Sequence, residues 1–140
     1  MEVEDRKFVG FGKRFVAYMI DIVIIMFSAF IVVMVLLFVL SFSSEEAVGQ
    51  MVMVVYFIVY VSYFILMESS VKQATLGKRL FKIKVINENG TRLSLINSLG
   101  RTLGRLLSGA IMGLGYVMIL FTKDKQGLHD KLAKTYVVGK

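Results

Sequence analysis

The apolar residues of this chain are gathered into long blocks instead of being spaced at the intervals of an amphipathic helix or strand. Residues 15–42 contain one charged residue, Asp21, and residues 47–67 contain none. A helix needs about 20 apolar residues, each rising about 1.5 Å, to cross the roughly 30 Å hydrocarbon core of a membrane. We therefore expect two transmembrane helices, 15–42 and 47–67, of which the first is long enough to tilt or to extend beyond the lipid.

A third apolar stretch, residues 102–121, is shorter and rich in glycine. Its uncharged part of 16 residues would form a helix of only about 24 Å, too short to span by itself. One arrangement is a third span that packs closely through two pairs of small residues. The pairs are Gly100/Gly104 and Gly109/Gly113. The other arrangement is a re-entrant or interfacial segment that turns near residues 112–116, with the turn buried because lipid cannot satisfy free amides.

Positive charge distinguishes these two arrangements. Of the 17 lysines and arginines, four precede the first block, eight lie between the second block and residue 106, and five follow residue 121. The loop between the two predicted spans has none and carries Glu45 and Glu46. Because short cytoplasmic loops collect Lys and Arg, a re-entrant or interfacial third segment would place all 17 on one side. We expect that arrangement, in a multi-pass protein of the cell membrane with both termini in the cytoplasm.

A polar insert, residues 72–99, lies between the second and third apolar stretches and has strand-like patterning. Apolar and charged residues alternate over residues 81–85, the Asn-Gly pair at 89–90 is typical of a tight hairpin turn, and residues 93–95 would begin the returning strand. The tail, residues 122–140, ends in a third β-prone run, "KTYVV", which we expect to join the hairpin because two strands alone are marginal in water. The predicted fold is one all-α membrane domain over the whole chain, with two transmembrane helices, a short Gly-rich third segment and a small cytoplasmic β-hairpin.

Three segments carry a resemblance to a known family. They are "GFGKRFVAYMIDIVI", "LMESSVKQATLGKRLFKIKVINENGTRLSL" and "FTKDKQGLHDKLAKTYVV". In this order they resemble the RDD family of small bacterial and archaeal membrane proteins, over residues 8–138. The family is named for one arginine and two aspartates, which by position correspond to Arg14, Asp21 and Asp130. The resemblance implies a small integral membrane protein; some members are implicated in sodium or proton exchange, and others are appended or accessory membrane modules.

The turn that reads "T-P-G-K" in the family appears here as "TLGK", residues 75–78. The proline is missing, so the turn is less rigid, but the glycine and the lysine are kept. The resemblance therefore adds Thr75, Gly77 and Lys78 to the residues that we expect to support the site.

The aspartate inside the first span needs a partner. A carboxylate in the middle of a membrane helix costs at least about 2.5–3.5 kcal/mol, so it normally faces protein or water. Arg14 lies seven residues earlier on the same helix, with Tyr18 between them, and two arginines open the third segment. Glu68 and Asp130 add carboxylates near the same membrane face. The predicted cluster is Arg14, Asp21, Glu68, Arg101, Arg105 and Asp130, supported by Tyr18, Thr75, Gly77, Lys78 and His129.

Three functions are compatible with this cluster. It could form a cation or proton site that exchanges Na⁺ for H⁺, in which case we expect a homo-oligomer, because two helices and a hairpin cannot enclose a pathway. It could instead clamp the helices together in a non-transporting scaffold or accessory subunit. Thirdly, the basic face could bind the headgroups of anionic lipids in the bilayer.

Other chemistry has little support in the sequence. The chain has no cysteine and a single histidine, so we predict no metal site and no cofactor. His129 is expected to form a local hydrogen bond beside Asp130 and to cap a short helix, 130–133. The segment "TLGKR" lacks the first glycine and the Ser/Thr of a phosphate loop, and membrane orientation already accounts for the cations. We therefore predict neither an enzyme nor a nucleic-acid-binding protein.

Overall fold

The computed structural model describes residues 7–40 and 44–140. Within these two ranges, six helices and two strands follow one another. They are α1 (Phe11–Leu40), α2 (Glu45–Ser69), α3 (Leu76–Leu80), β1 (Ile83–Asn87), α4 (Leu95–Ala110), α5 (Leu114–Phe121), α6 (Leu128–Leu132) and β2 (Thr135–Gly139).

Helices α1 and α2 are long and apolar enough to cross a membrane, which confirms two candidate membrane-spanning helices where they were predicted. They pack side by side in antiparallel directions, because Ile25 of α1 meets Tyr60 and Phe64 of α2, whereas Val33 meets Val55. Both helices extend beyond the predicted spans, α1 by four residues at its start and α2 by two at each end. The predicted end of the first span, residue 42, lies outside the described residues. Most of the remaining surface between the ends of the two helices is apolar and exposed, as contact with lipid requires.

The third apolar stretch does not form a straight helix. Helices α4 and α5 meet at an angle of 104° across a short break, where Met112 and Gly113 have φ values of 56° and 77°. Such a bend fits a re-entrant segment or a broken span, and it excludes one straight helix across the membrane. The bend lies at the glycine-containing turn that the sequence indicated.

Helix α4 buries its polar face and exposes its apolar one. The buried residues include Ser98, Arg101, Thr102, Arg105 and Ser108, and the exposed residues include Leu95, Ile96, Leu103 and Leu107. In water this arrangement would be unfavourable, because apolar surface would stay hydrated while charges were buried. The arrangement is consistent with a helix whose outer face contacts lipid.

The small sheet differs from the predicted hairpin. Strand β1 pairs antiparallel with β2, so that Ile83 lies opposite Gly139 and Val85 opposite Val137; the C-terminal run therefore joins the sheet as expected. The chain does turn after Asn87, but residues 91–94 form no strand, and the prediction of a hairpin is wrong. The position beside β1 is occupied instead by Gln73, whose carbonyl accepts a 2.8 Å hydrogen bond from the Val85 amide.

The segment predicted as the returning strand begins helix α4. The Ser94 hydroxyl accepts a 3.1 Å hydrogen bond from the Asn97 amide and so caps the first turn of the helix. Leu93 points into the core, where it packs with β1 and β2 residues. The alternation of apolar residues was real, but capping and burial of Leu93 favour a helix start over a second strand.

The two ends of the described chain are joined on the outer edge of β2. Phe8 forms a bridge with Val138. The Val9 amide donates to the Val137 carbonyl over 3.0 Å, and the Gly139 amide donates to the Lys7 carbonyl over 3.1 Å. The N-terminal segment thus lies along the free edge of β2, on the opposite side of the sheet from Gln73.

Of the four glycines in the two small-residue pairs, one has a close neighbour among the described residues. At Gly104 a Cβ would lie 2.9 Å from the Cα of His129, so the close packing of α6 against α4 requires glycine at this position. Among the described residues, nothing lies within 4 Å of a Cβ added at Gly100 or Gly109. Close approach to α6, and not to a second span, explains Gly104.

Gly104 and Gly100, both in α4, make a matched pair for a test. Gly104→Ala should lower the free energy of unfolding by about 1–3 kcal/mol, because the added methyl group overpacks the contact with α6. Gly100→Ala should be neutral or stabilising by about 0.5–1 kcal/mol, because alanine favours the helix and meets no neighbour. Thermal unfolding of the detergent-purified protein, followed by circular dichroism, measures both. Equal shifts for the two variants would contradict the packing described here.

Candidate functional site: a buried charge cluster and its cavity

Buried charged side chains from five helices meet at one end of the two spans. Arg14 lies in the first turn of α1, and Glu68 is the penultimate residue of α2. The others come from elements packed around them: Lys78 from α3, Arg101 and Arg105 from α4, and Asp130 from α6. Arg101 and Arg105 are four residues apart, so they share the buried face of α4.

Glu68 is surrounded by three cations. The Lys78 ammonium and the Arg105 guanidinium both donate to its Oε1 atom, and Arg101 Nε lies 3.4 Å from its Oε2 atom. The Arg105 guanidinium also lies over the Phe64 ring, 4.3 Å from its centroid. Glu68 therefore ties the end of α2 to α3 and α4.

Asp130 is the second centre of the cluster. Arg14 Nη1 lies 2.6 Å from its Oδ2 atom, and Arg101 Nη2 lies 2.5 Å from its Oδ1 atom. Burial alone would raise the pKa of this carboxyl, but Arg101 and Arg14 hold that pKa well below its usual range. Because Arg101 also contacts Glu68, one guanidinium joins the two carboxylates and, with them, α2, α4 and α6.

Asp130, not His129, caps the short helix α6. Its Oδ2 atom accepts a 3.0 Å hydrogen bond from the Gly127 amide, which lies just before the helix. The helix also starts at Leu128, two residues before the predicted start. The expected capping role of His129 is therefore wrong, because the carboxylate at the third helical position reaches back to the free amide.

Asp21 does not join the arginines. Its Oδ1 atom accepts hydrogen bonds from the Tyr63 hydroxyl (2.7 Å) and the Gly77 amide (2.8 Å), and its Oδ2 atom accepts one from the Thr75 hydroxyl (2.6 Å). None of the ion pairs in the part of the chain described includes Asp21. The prediction of an arginine partner is thus wrong: three uncharged donors satisfy this carboxylate.

The family turn explains this arrangement. Thr75 precedes α3 and its hydroxyl also accepts a hydrogen bond from the Lys78 amide, which caps the helix. A Cβ at Gly77 would lie 2.1 Å from the Ala17 carbonyl oxygen of α1. Only glycine lets the α3 backbone come close enough to donate its amide to Asp21.

The remaining supporting residues lie beside the cluster. The hydroxyl groups of Tyr18 and Tyr60 are 3.4 Å apart. Burial lowers the pKa of His129 to about 3, against the opposing effect of Asp130, so the imidazole is neutral at neutral pH. Burial likewise lowers the pKa of the Lys78 ammonium to about 7, with Glu68 acting in the opposite direction.

A cavity of about 310 Å³, which we call the basic cavity, opens beside the cluster. Its buried lining combines charged residues with apolar ones such as Phe64 and Ile119, and its exposed lining is apolar. The buried charged residues are Arg14, Asp21, Lys78, Arg101 and Arg105; the exposed apolar ones are Phe15, Met112 and Val117. Of the predicted site residues, Tyr18 and His129 also line it.

Sequence reasoning missed one residue of the site and misassigned another. Tyr63, which donates to Asp21, was not among the predicted site residues; the signal in the sequence is that Tyr56, Tyr60 and Tyr63 recur at helical spacing, which places them on one face of the second span. Lys78 was expected to support the turn, but it pairs directly with Glu68. The two residues are ten positions apart and a turn separates them, so neither helical nor strand periodicity could indicate that they pair.

Comparison with known proteins agrees with this description. The chain matches the RDD family over residues 8–134. It is 35% identical over 147 aligned positions to the uncharacterized protein YxaI of Bacillus subtilis (strain 168), covering 94% of this chain and 97% of the relative. It is 31% identical over 143 positions to the uncharacterized membrane protein YteJ of the same organism, covering 98% and 84%. No solved structure shows a significant match. The chain belongs to the RDD family of membrane proteins.

Proposed function

We propose that the protein is a non-enzymatic membrane module, a scaffold or accessory subunit, whose buried charges hold its helices together. The observation that supports this most directly is the position of Arg101, which contacts both Glu68 and Asp130. Each buried carboxylate receives donors from at least two other elements. Such a network fixes one arrangement of the helices, and breaking it is costly, about 3–5 kcal/mol for a buried pair.

The proposed orientation places the sheet and both chain ends in the cytoplasm, with α4 and α5 re-entrant. Two observations support it: the hydrogen bonds between residues 7–9 and 137–139, and the 17 cations that this topology keeps on one side. Reporter domains fused in turn to the two termini would test it. We expect both reporters in the cytoplasm; a C-terminal reporter on the outer side would contradict the orientation.

A second candidate function is exchange of H⁺ for Na⁺ at Asp21. It is favoured by one observation: Asp21 is fully buried in a spanning helix without an ion-pair partner among the described residues, so its negative charge could be neutralised by a proton or a cation. Hard cations prefer several oxygen ligands, whereas both Asp21 oxygens here accept hydrogen bonds. Exchange would also require a homo-oligomer to enclose the pathway.

A flux assay separates the two functions. The purified chain is placed in liposomes that contain a trapped pH-sensitive dye. A pH gradient is imposed across the liposome membrane, and sodium is then added outside. As a scaffold, the wild-type protein should leave the pH gradient unchanged, while Asp21→Asn should lower the free energy of unfolding by about 1–3 kcal/mol because an amide NH₂ would face hydrogen-bond donors. The control is Asp124→Asn, at an exposed carboxylate, which should change neither property.

The opposite result would support exchange. Sodium-dependent loss of the gradient in the wild type, abolished by Asp21→Asn but kept by Asp124→Asn, would overturn the scaffold proposal. Light scattering of the detergent-purified protein then gives the number of subunits, which exchange requires to exceed one.

A further inference from the structure

Two arginines that line the basic cavity each have one buried nitrogen atom without a hydrogen-bond partner among the described residues. Arg14 donates through Nε to the Val9 carbonyl and through Nη1 to Asp130, but its Nη2 atom has no hydrogen-bond partner among residues 7–40 and 44–140. Arg105 donates through Nη2 to Glu68, and its Nη1 atom likewise has none within the described ranges. The two residues are 7% and 4% exposed, and both line the cavity.

Buried donors of this kind indicate a missing acceptor. Leaving a charged donor buried and unpaired costs more than the roughly 1–3 kcal/mol of a neutral group. Arginine also presents its N–H groups in a planar fork that matches the oxygens of a carboxylate or phosphate. Asp21, the carboxylate that lines the same cavity, cannot serve, because both of its oxygens already accept hydrogen bonds. Glu68 Oε2 and Asp130 Oδ1 also have no hydrogen-bond partner among the described residues, but they already lie 3.4 Å and 2.5 Å from Arg101.

The apolar mouth restricts the kind of anion. Phe15, Met112 and Val117 line the cavity and are 50%, 93% and 40% exposed. The volume of about 310 Å³ is at the lower end of the range for small-ligand sites, about 300–1,000 Å³. A headgroup fits in this space, but an acyl chain does not, so an attached tail would leave across the apolar mouth.

We propose that the basic cavity binds the headgroup of an anionic membrane lipid: its phosphate pairs with Arg14 and Arg105, whose unpaired nitrogen atoms are buried here and turn towards it on binding, and its acyl chains lie against Phe15 and the α4–α5 turn. The location supports a lipid over a water-soluble phosphate. Arg14 is the fourth residue of helix α1, which is long and apolar enough to span a membrane, so we expect the cavity to lie at the level of the lipid headgroups. This binding function is separate from the scaffold proposal and does not require any transport.

The test uses the full-length chain in a non-ionic detergent and native mass spectrometry. Phosphatidylglycerol, phosphatidylcholine with the same acyl chains, and glycerol 3-phosphate are titrated in parallel. The first phosphatidylglycerol should bind at least about tenfold more tightly than phosphatidylcholine, which corresponds to one charge-assisted hydrogen bond. Glycerol 3-phosphate, which has the phosphate without the tail, should not bind at the same concentrations.

Two variants test whether the lipid binds in the basic cavity. Arg14→Lys keeps the charge and can keep the contact with Asp130, but it removes the free guanidinium edge; it should weaken the first phosphatidylglycerol about tenfold. Phe15→Ala removes the apolar wall and should weaken it several-fold. The matched control is Phe30→Ala, because Phe30 is similarly exposed on α1, at 58%, and does not line the cavity.

Each remaining outcome overturns the proposal. Equal affinity for the two lipids would mean ordinary contact with the bilayer. A phosphatidylglycerol preference that Arg14→Lys and Phe15→Ala both leave intact would mean attraction to the net charge of +7. Glycerol 3-phosphate that binds as tightly as the lipid would make the ligand a soluble phosphate. Should Arg14→Lys fail to fold, Phe15→Ala against Phe30→Ala gives the same decision, because both positions are exposed.

Discussion

Gly77→Ala should lower the free energy of unfolding by at least about 3 kcal/mol, a large effect for a single methyl group. The Cβ atom would lie 2.1 Å from the Ala17 carbonyl oxygen and 2.9 Å from its carbonyl carbon. Both are backbone atoms in the interior of a long helix, so they cannot rotate away as a side chain could. Helix α3 would have to move outwards, and Asp21 would lose the amide of Gly77 and the hydroxyl of Thr75.

The measurement is thermal unfolding in detergent, with a matched substitution in each span. Gly12 and Gly49 lie in α1 and α2, and no described residue lies within 4 Å of a Cβ added at either. Gly12→Ala and Gly49→Ala should therefore keep or slightly raise the melting temperature. If Gly77→Ala has the same melting temperature as these two variants, α3 does not lie against α1 as described.

Glu68→Gln should destabilise the protein by about 3–5 kcal/mol, the usual cost of removing one partner from a buried charge pair. The substitution keeps the size of the side chain but removes the negative charge that Lys78, Arg101 and Arg105 share. Three cations would then face one another in a buried space. Glu88→Gln, at an exposed turn position, is the control and should change the free energy of unfolding by less than about 0.5 kcal/mol.

A double substitution shows whether the charge is responsible. Lys78→Met removes one of the three cations and leaves an unbranched apolar chain in its place. Combined with Glu68→Gln, it should cost less than the sum of the two single changes, with a coupling of about 0.5–3 kcal/mol. Strict additivity would indicate that Glu68 acts through packing alone. The same measurements are best made by chemical or thermal unfolding in one detergent, so that all variants share a reference state.

Part of the candidate site was predictable from composition and spacing. The six predicted charged residues are all buried at one end of the spans. Asp21 differs from the other five in that it forms no ion pair with a described residue. A charge in or next to an apolar block must find a partner, so position along the chain indicated which residues would be buried. The family resemblance supplied Thr75, Gly77 and Lys78, and the structure places all three against the carboxylates of α1 or α2.

The pairing itself was not predictable. Arg14 meets Asp130 across 116 residues, and Asp21 meets Thr75 across 54. Distances of a few ångströms decide which donor reaches which oxygen, and they depend on how α3 and α6 dock on the spans. The expectation that Asp21 would bind arginine was reasonable on charge alone, but the close approach at Gly77 gave that carboxylate three neutral donors instead.

The sequence by itself determined the two spans, the bend near residues 112–116 and the β-prone C-terminal run, because hydrophobicity, chain length and glycine content act locally along the chain. Only the tertiary structure decided that β1 pairs with the C-terminus instead of with residues 93–95, and that α4 turns its charged face inwards. Those outcomes depend on competition between distant segments for the same hydrogen bonds and the same buried surface. The local sequence pattern does not indicate which segment forms them.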